Sequence, residues 1–241
     1  MVYQAICFDI DGTLYDNKIM NRRIGSIWFF HPIMGMKFKQ DRRQFRQMQH
    51  TYKQSIPLRW REAMIIKNGN GVEPDYPFDK ESYKDVYEKM DRVLYRPMRR
   101  MFRKTKSHDG VRDTFECIRE KGLKVGVLSD FPIYEKLEGL EVADLVDFAC
   151  SSDDTLFLKP DAHCFDFLLY NLKVAPKDTL YVGDSYDKDV VGAVNSGIDA
   201  VLVGVNESEL SEASAKYPLA KAVFSSWKDF DNWLRARIGE N

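Results

Sequence analysis

The sequence lacks any apolar run that approaches the roughly 18 residues a transmembrane helix needs. Its first ten residues, MVYQAICFDI, carry no basic segment ahead of an apolar one, so we expect no secretory signal peptide. Of the 241 residues, 44% are hydrophobic, which is enough for a large buried core. We therefore expect a soluble, cytoplasmic protein with no membrane partner.

Cysteine and histidine are scarce, with four of each, and neither forms a recognisable cluster along the sequence. The cysteines show no CxxC pair and no metal-ligand spacing, which favours small buried hydrophobes in a reducing compartment over disulfides or ligands. The histidines fall in no motif, and each is expected to be structural or exposed. The residues are Cys7, Cys117, Cys150, Cys164, His31, His50, His108 and His163.

The net charge of −1 hides a strong asymmetry. Residues 17–106 contain 22 Lys and Arg against 9 Asp and Glu, a net charge of +13. The rest of the chain contains 14 basic and 28 acidic residues, a net charge of −14. The sequence thus predicts two bodies of opposite charge.

Strands and helices alternate through the acidic body. The helical stripes include Val111, Phe115 and Ile118 ahead of Gly122. Short apolar runs, mostly without alternation, are typical of strands buried on both faces. The predicted fold is therefore a doubly wound, mostly parallel, Rossmann-like α/β sheet. The predicted strands are Tyr3–Phe8, Leu123–Leu128, Val146–Cys150, Thr179–Val182, Ala200–Val203 and Ala222–Ser225.

Residues 17–106 interrupt the alternation and show helical stripes without a convincing strand. We predict an inserted all-α domain here, called the insert below, and a core domain formed by residues 1–16 and 107–241. The stripes include Met20, Ile24, Ile27 and Trp28; Phe38, Phe45, Met48 and Tyr52; and Tyr83, Val86, Tyr87, Met90, Val93 and Leu94. Pro57 is predicted to open a further helix with Trp60, Met64 and Ile65 facing inward, and Gly69–Gly71 and Pro74–Pro77 are predicted loops.

Polar side chains follow the predicted strands where ligands bind in open α/β sheets, at the carboxyl ends. The first strand delivers Asp9 and Asp11, the second Ser129 and Asp130, and the fourth Asp184. Lys159 follows the third strand, ahead of Pro160. Carboxylates, a lysine and a hydroxyl at one edge are suited to binding a hard divalent cation together with an anion, and Mg²⁺ takes such oxygen ligands.

These residues resemble the four motifs of the haloacid dehalogenase superfamily, in order. The segment Asp9-Ile-Asp-Gly-Thr13 matches the DxDGT motif, and Ser129 matches the hydroxyl at the second strand end. Lys159 matches the third motif, and Gly183-Asp-Ser-Tyr-Asp-Lys-Asp189 matches the acidic fourth motif. The resemblance covers the core domain and implies a phosphatase-type hydrolase whose insert is a helical cap. The insert matches only in position and helical character.

The resemblance implies the following roles. Asp9 would be the nucleophile that forms an aspartyl-phosphate, and Asp11 the general acid and base. Mg²⁺ would be held by Asp9, Asp184 and the backbone carbonyl of Asp11, with Asp189 bonding metal-bound water or Lys159. The phosphoryl group would be bound by Lys159, Ser129 and the backbone near Gly12 and Thr13, with Asp130 also near the substrate.

Asp130 departs from the pattern, because many relatives carry asparagine after the hydroxyl residue. A carboxylate near a phosphate site is unfavourable unless it is protonated, paired or turned away, so Asp130 either pairs with an arginine of the insert or faces the leaving group. The presence of Asp11 disfavours a dehalogenase, since halide leaves without a proton. Phosphonate cleavage would need a lysine of the insert that forms a Schiff base, and none stands out.

Hydrolysis of a small phosphorylated metabolite is the main hypothesis. A phosphomutase and a non-catalytic phosphate-binding scaffold are the alternatives. The basic insert either attracts acidic ligands and docks on the acidic core or is a solvated face that balances the core's charge. Nucleic acid is a less favoured partner, since no nucleic-acid-binding motif is present. The sequence does not define the oligomeric state.

Overall fold

The computed structural model describes residues 3–50, 56–68 and 78–238. Tyr52, the loop predicted at Gly69–Gly71 and the segment Pro74–Pro77 lie outside the described residues, as do the side chains of Met20, Ile27, Trp28 and Met48. In the part of the chain that the structure describes, no helix combines the length and the apolar character needed to span a membrane.

Six strands form one fully parallel sheet in the order β3-β2-β1-β4-β5-β6. The predicted fold class is confirmed, and each predicted strand is present with ends shifted by no more than two residues. The strands are β1 (Ala5–Phe8), β2 (Lys124–Ser129), β3 (Phe148–Ser151), β4 (Thr179–Gly183), β5 (Asp199–Val203) and β6 (Ala222–Phe224).

Helices cover both faces of the sheet. The helices that follow the insert are α6 (Val111–Glu120), α7 (Tyr134–Gly139), α8 (Ser152–Thr155), α9 (Ala162–Leu172), α10 (Val191–Asn195), α11 (Ala213–Lys216) and α12 (Trp227–Ile238). Single turns of 3₁₀ helix lie at Ala143–Leu145 and Pro176–Asp178, a longer one lies at Glu207–Glu212, and a π-helical turn at Tyr186–Val190 leads into α10.

Alternate residues of β1 point to opposite faces of the sheet, and each face has its own apolar core. Ile6 and Phe8 pack with α6 and α12, where Phe115 stacks on Phe8 at a centroid distance of 4.8 Å. Ala5 and Cys7 pack with the apolar stripe of α9. All four cysteines are free thiols, three of them buried and Cys117 half-buried.

The described part of the insert contains helices and no strand. The helices are α1 (Asn17–Phe30), α2 (Pro32–Met48), α3 (Leu58–Asn68), α4 (Lys80–Met90) and α5 (Arg96–Phe102), with a π-helical turn at Asp91–Tyr95 between the last two. Helix α3 begins directly after Pro57, as predicted. Its buried residues include Arg61, Glu62 and Met64, whereas Trp60 and Ile65 are half-buried. Met64 is thus buried as predicted, and Trp60 stacks on Tyr87 at a ring-centroid distance of 4.1 Å.

Candidate active site

The predicted site residues converge where the order of the strands reverses beside β1. The sheet continues to β2 and β3 on one side of β1 and to β4, β5 and β6 on the other. Asp9 follows β1, Ser129 ends β2 and Asp184 follows β4. Neighbouring parallel strands end at the same edge, so the topology brings their polar side chains together at the position where such sheets bind ligands.

Asp9 is buried and held on both carboxylate oxygens. Lys159 Nζ lies 2.6 Å from Asp9 Oδ1, and the Thr13 hydroxyl donates to Oδ2 at 3.2 Å. Thr13 can reach back because Gly12, in the left-handed conformation at a φ of 96°, turns the chain directly after Asp11. The residue predicted to be the nucleophile therefore has a fixed orientation.

Lys159 is a buried cation that links two carboxylates. Its Nζ lies 2.6 Å from both Asp9 Oδ1 and Asp189 Oδ1, and it also donates to the Tyr181 hydroxyl at 3.3 Å. Burial alone would lower the pKa of Lys159, but Asp189 and Asp9 outweigh it and raise the pKa well above the usual value. Lys159 therefore remains charged.

Three carboxylates lie close together at the mouth of the sheet. One oxygen each of Asp9, Asp184 and Asp189 falls within 4.8 Å of the others. Burial raises the pKa of Asp9 to about 8. Lys159 opposes this shift, whereas Asp189 and Asp184 add to it. Burial and Asp189 raise the pKa of Asp184 to about 6. Lys159 supplies one positive charge to three carboxylates, and a divalent cation with a preference for oxygen ligands fits the cluster.

Backbone geometry keeps Asp184 close to the first motif. A Cβ atom on Gly12 would lie 2.0 Å from Asp184 Oδ2, so only glycine allows this approach. Both oxygens of Asp189 are occupied, by Lys159 and by the Ser185 backbone N–H at 3.0 Å. Asp189 thus contacts Lys159, and its supporting role at a metal site stays a prediction.

The side chain of Asp11 points away from the acidic cluster. It accepts hydrogen bonds from Lys136, from the Tyr15 hydroxyl and, at 3.2 Å, from the Ser129 hydroxyl. Burial alone would raise the pKa of Asp11, but Lys136, Tyr15 and Ser129 together hold that pKa below its usual value. The two carboxylates of the first motif thus have very different surroundings. Their pKa shifts run opposite to the order that the predicted roles require, since a nucleophile must be ionised and a general acid protonated.

Lys136 is a residue that the sequence reasoning missed. It has no exposed surface, and besides Asp11 it donates to the Ser129 hydroxyl at 2.9 Å. The available signal was a lysine on the apolar side of helix α7, within a turn of Ile133, Leu137 and Leu140, all buried. A lysine at such a position requires a buried partner.

Ser129 is fully buried and does not line the main cavity described below. Its hydroxyl lies between Asp11 and Lys136 and also accepts the Phe131 backbone N–H at 3.2 Å. Gly12 and Thr13 line a neighbouring depression on the other side of Asp184. Direct contact of these three residues with a phosphoryl group therefore stays a prediction.

Asp130 is paired with an arginine of the insert, the first of the two alternatives that the sequence left open. Arg46 Nη2 lies 2.6 Å from Asp130 Oδ2, and the other carboxylate oxygen accepts the Lys159 backbone N–H at 3.2 Å. Burial would raise the pKa of Asp130, but Lys159, Arg46 and Arg42 hold it far below the usual range. Asp130 is thus an ionised contact between core and insert.

Arg42 and Arg46 extend from helix α2 onto the ends of the core strands. Arg42 donates to Glu62 at 2.9 Å and to the Asp130 backbone carbonyl at 2.9 Å. Its guanidinium lies 4.1 Å from the ring centroid of Phe131. Arg46 also donates to the Lys159 carbonyl at 2.9 Å. Among the many basic residues of the insert, these two contact the catalytic motifs, which the sequence alone did not reveal.

A cavity of about 510 Å³ lies between the insert and the core. Its lining combines Asp9, Asp11, Asp184, Asp189 and Lys159 from the core with Phe38, Arg42, Arg46, Met98 and Phe102 from the insert. Phe29 and Phe30, two aromatic residues at the end of helix α1, are 80% and 76% exposed and do not line this cavity. The volume suits a small ligand with anionic and apolar parts.

Comparison with known proteins identifies the class. A model of the family "haloacid dehalogenase-like hydrolase" matches residues 3–197, and the chain belongs to this family of hydrolases. The structure is similar to a 2-haloacid dehalogenase from Pseudomonas syringae, with a TM-score of 0.63, 19% identity and coverage of 98% of this chain and 99% of that chain. At that identity the likeness concerns the fold.

Two relatives are phosphatases. The chain is 33% identical over 99 residues to a glyceraldehyde 3-phosphate phosphatase of Methanothermobacter thermautotrophicus, a match that covers 40% of this chain and 42% of the relative. It is 26% identical over 206 residues to a phosphorylated carbohydrates phosphatase of Thermotoga maritima, covering 82% of this chain and 83% of the relative. The chain spans about two fifths of the first of these relatives, so substrates belong to the proposal that follows.

Proposed function

We propose that this protein is a Mg²⁺-dependent phosphate monoester hydrolase that acts on a small phosphorylated metabolite through an aspartyl-phosphate intermediate. The observation that carries the proposal is the separate placement of the two carboxylates of the first motif at the edge of the sheet. Asp9 lies in the acidic cluster beside Lys159, whereas Asp11 lies against Lys136. The two phosphatase relatives support the same reaction class.

Asp9 is the proposed nucleophile. A carboxylate attacks phosphorus only when it is ionised, and burial opposes ionisation here. Lys159 stabilises the charged form, and Mg²⁺ bound by Asp9, Asp184 and the Asp11 carbonyl would complete the neutralisation and shield the anionic phosphate. Thr13 holds the second oxygen of Asp9, so the attacking oxygen has a defined direction.

Asp11 and Lys136 are proposed to supply the proton for the leaving oxygen. Lys136 donates a hydrogen bond to Asp11, and burial lowers the pKa of Lys136, which makes its proton easier to give up to Asp11. Asp11 lines the cavity and can pass the proton to a leaving oxygen there. In the second half of the reaction Asp11 would take a proton from the attacking water.

The insert, residues 17–106, is proposed to act as a cap over the core formed by residues 1–16 and 107–241. Arg42 and Arg46 line the cavity opposite its acidic core side. The positive charge of these two arginines favours an anionic ligand. Closing the cap would exclude bulk water from the reacting groups. A cavity of about 510 Å³ accommodates a metabolite rather than a polymer.

The test is Mg²⁺-dependent phosphate release from a panel of sugar phosphates, nucleotides, small acid phosphates and an aryl phosphate. Wild type is compared with Asp9→Asn and with Asp187→Asn, an exposed carboxylate of the same fourth motif that serves as the matched control. We expect release that requires Mg²⁺, is lost in Asp9→Asn and persists in Asp187→Asn. Folded, Mg²⁺-binding protein that releases no phosphate from any of them would overturn the proposal in favour of a mutase or a non-catalytic scaffold.

A further inference from the structure

Two histidines and a carboxylate meet at a second contact between insert and core, apart from the cavity. His50 follows helix α2 of the insert, Asp161 is the N-cap of helix α9 in the core, and His163 lies in the first turn of that helix. His50 Nε2 is 2.5 Å from Asp161 Oδ2, and His163 Nδ1 is 2.8 Å from Oδ1. None of the three residues lines the cavity.

Neighbouring groups hold the carboxylate of Asp161 in place and pack against the two imidazole rings. The Asp161 carboxylate is 3% exposed, and its Oδ2 also accepts Gln49 Nε2 at 3.0 Å. The ring of Phe157 stacks on His163 at a centroid distance of 4.4 Å and lies 5.4 Å from His50. The two imidazoles remain 67% and 61% exposed, so further coordination positions face solvent.

We propose that His50, Asp161 and His163 form a binding site for a divalent transition ion, Zn²⁺ above all, that fastens the insert to the core. Two imidazole nitrogens and one carboxylate suit Zn²⁺ or Co²⁺, whereas Mg²⁺ and Ca²⁺ prefer oxygen ligands throughout. One ligand atom of each residue lies within 4.8 Å of the others. A water molecule would complete a tetrahedral set.

The geometry needs only a small adjustment. In a tetrahedral zinc site with bonds of about 2.0 Å, neighbouring ligand atoms lie about 3.3 Å apart. The two contacts to Asp161 are shorter than this, 2.5 Å from His50 to Oδ2 and 2.8 Å from His163 to Oδ1, so binding an ion would move both exposed rings outward from the carboxylate. His163 would bind through Nδ1 and His50 through Nε2.

The site spans the two parts of the chain, which gives the ion a mechanical effect. His50 belongs to the insert, and Asp161 and His163 belong to the core. Coordination bonds across this contact would oppose separation of the C-terminal end of α2 from α9. The three ligands take no part in the proposed phosphatase reaction, so failure of that proposal would leave the metal site unaffected.

The experiment is a calorimetric titration of tag-free apoprotein with Zn²⁺, and an absorption titration with Co²⁺, in excess Mg²⁺ that occupies the acidic cluster. Variants His50→Gln and His163→Gln are compared with His31→Gln. His31 is exposed at the other end of α2, about 25 Å away by helical rise. We expect wild type and His31→Gln to bind one ion tightly with a tetrahedral Co²⁺ spectrum, and each of the other variants to bind at least about tenfold more weakly.

Wild-type affinity and spectrum in either His50→Gln or His163→Gln would overturn the assignment. Thermal unfolding in the absence of metal shows whether these exposed substitutions leave the fold intact. Hydrogen exchange provides the second readout. Zn²⁺ is expected to slow exchange at the C-terminal end of α2 in wild type and in neither cluster variant, and identical exchange with and without Zn²⁺ would overturn the fastening effect.

Discussion

Lys136 donates a hydrogen bond to Asp11 from a position where the lysine has no exposed surface. The rings of Phe102 and Phe131 flank its Nζ at 4.6 and 5.4 Å, so the ammonium has exchanged water for aromatic faces and a carboxylate. Breaking a buried ion pair by removal of one partner is costly, because the other charge stays behind without solvent. The two residues therefore depend on each other.

The first prediction concerns this pair. Lys136→Met removes the charge but keeps the shape, and we expect a loss of about 3–5 kcal/mol in the free energy of unfolding, since Asp11 is left unpaired. Adding Asp11→Asn should recover part of that loss. Urea unfolding of the two single variants and the double variant gives the coupling energy. Lys121→Met, at an exposed lysine, should change little, and a coupling energy near zero would show that the pair does not act as a unit.

The sequence was sufficient to predict the fold of the core, because parallel strands buried on both faces are continuous apolar runs. Ala5–Phe8 and Thr179–Gly183 are examples, and each is entirely buried. The sequence was less informative about the insert. Helix α3 buries Arg61 and Glu62, and no pattern of apolar residues identifies a helix face on which charges are buried. Such a face depends on partners from other elements, such as Arg42 and Tyr95 for Glu62.

The site residues at strand ends were predictable, since their sequence positions place them at one edge of the sheet. The site residues that lie on helices or in the insert were not predictable. Lys136 comes from a helix and Arg46 from the insert, and both contact motif residues only through tertiary packing. The sequence raised the question of how Asp130 could be tolerated, but only the structure identifies its partner. The division into residues 1–16 with 107–241 and 17–106 stays a prediction.

The second prediction tests whether Arg46 and Asp130 hold the insert against the core. Hydrogen bonds between charged groups contribute about 1.5–3 kcal/mol, so Arg46→Ala should speed hydrogen exchange in helix α2. Asp130→Asn should act in the same direction, and the double variant should show less than the sum of the two effects. Arg43→Ala, at an exposed position of the same helix, is the control. Equal exchange in the Arg46 and Arg43 variants would contradict this account of the contact.

The third prediction separates backbone strain from crowding at Asp184. Gly12 and Gly110 both have positive φ, 96° and 86°, so alanine at either position should cost about 1–2 kcal/mol of stability. Only at Gly12 would the new Cβ collide with Asp184, whereas Gly110 has open space around it. We expect Gly12→Ala to lose Mg²⁺ affinity by calorimetry and Gly110→Ala to keep it. Equal Mg²⁺ affinity in the two variants would argue against Asp184 as a ligand.

The last prediction concerns the pH dependence of stability and Asp153, a largely buried carboxyl group of helix α8. Burial and the nearby Glu62 raise the pKa of Asp153 to about 6, although Arg59 and Arg42 oppose them. The folded protein then holds this proton more tightly than the unfolded chain, whose aspartates titrate near pH 4. The associated stability is complete below that pH and is lost as the pH rises through about 6, an effect on the order of 2–3 kcal/mol.

Asp153→Asn removes this titration but keeps an oxygen that can accept the Arg59 backbone N–H. The variant should therefore gain stability relative to wild type between about pH 4 and about pH 8, as measured by urea unfolding at each pH. Other titrating groups cancel in the difference between the two proteins. Asp166→Asn, the same substitution at an exposed carboxylate, is the matched control. If the Asp153→Asn difference does not change with pH, folding does not shift the pKa of Asp153, and burial in α8 does not govern its titration.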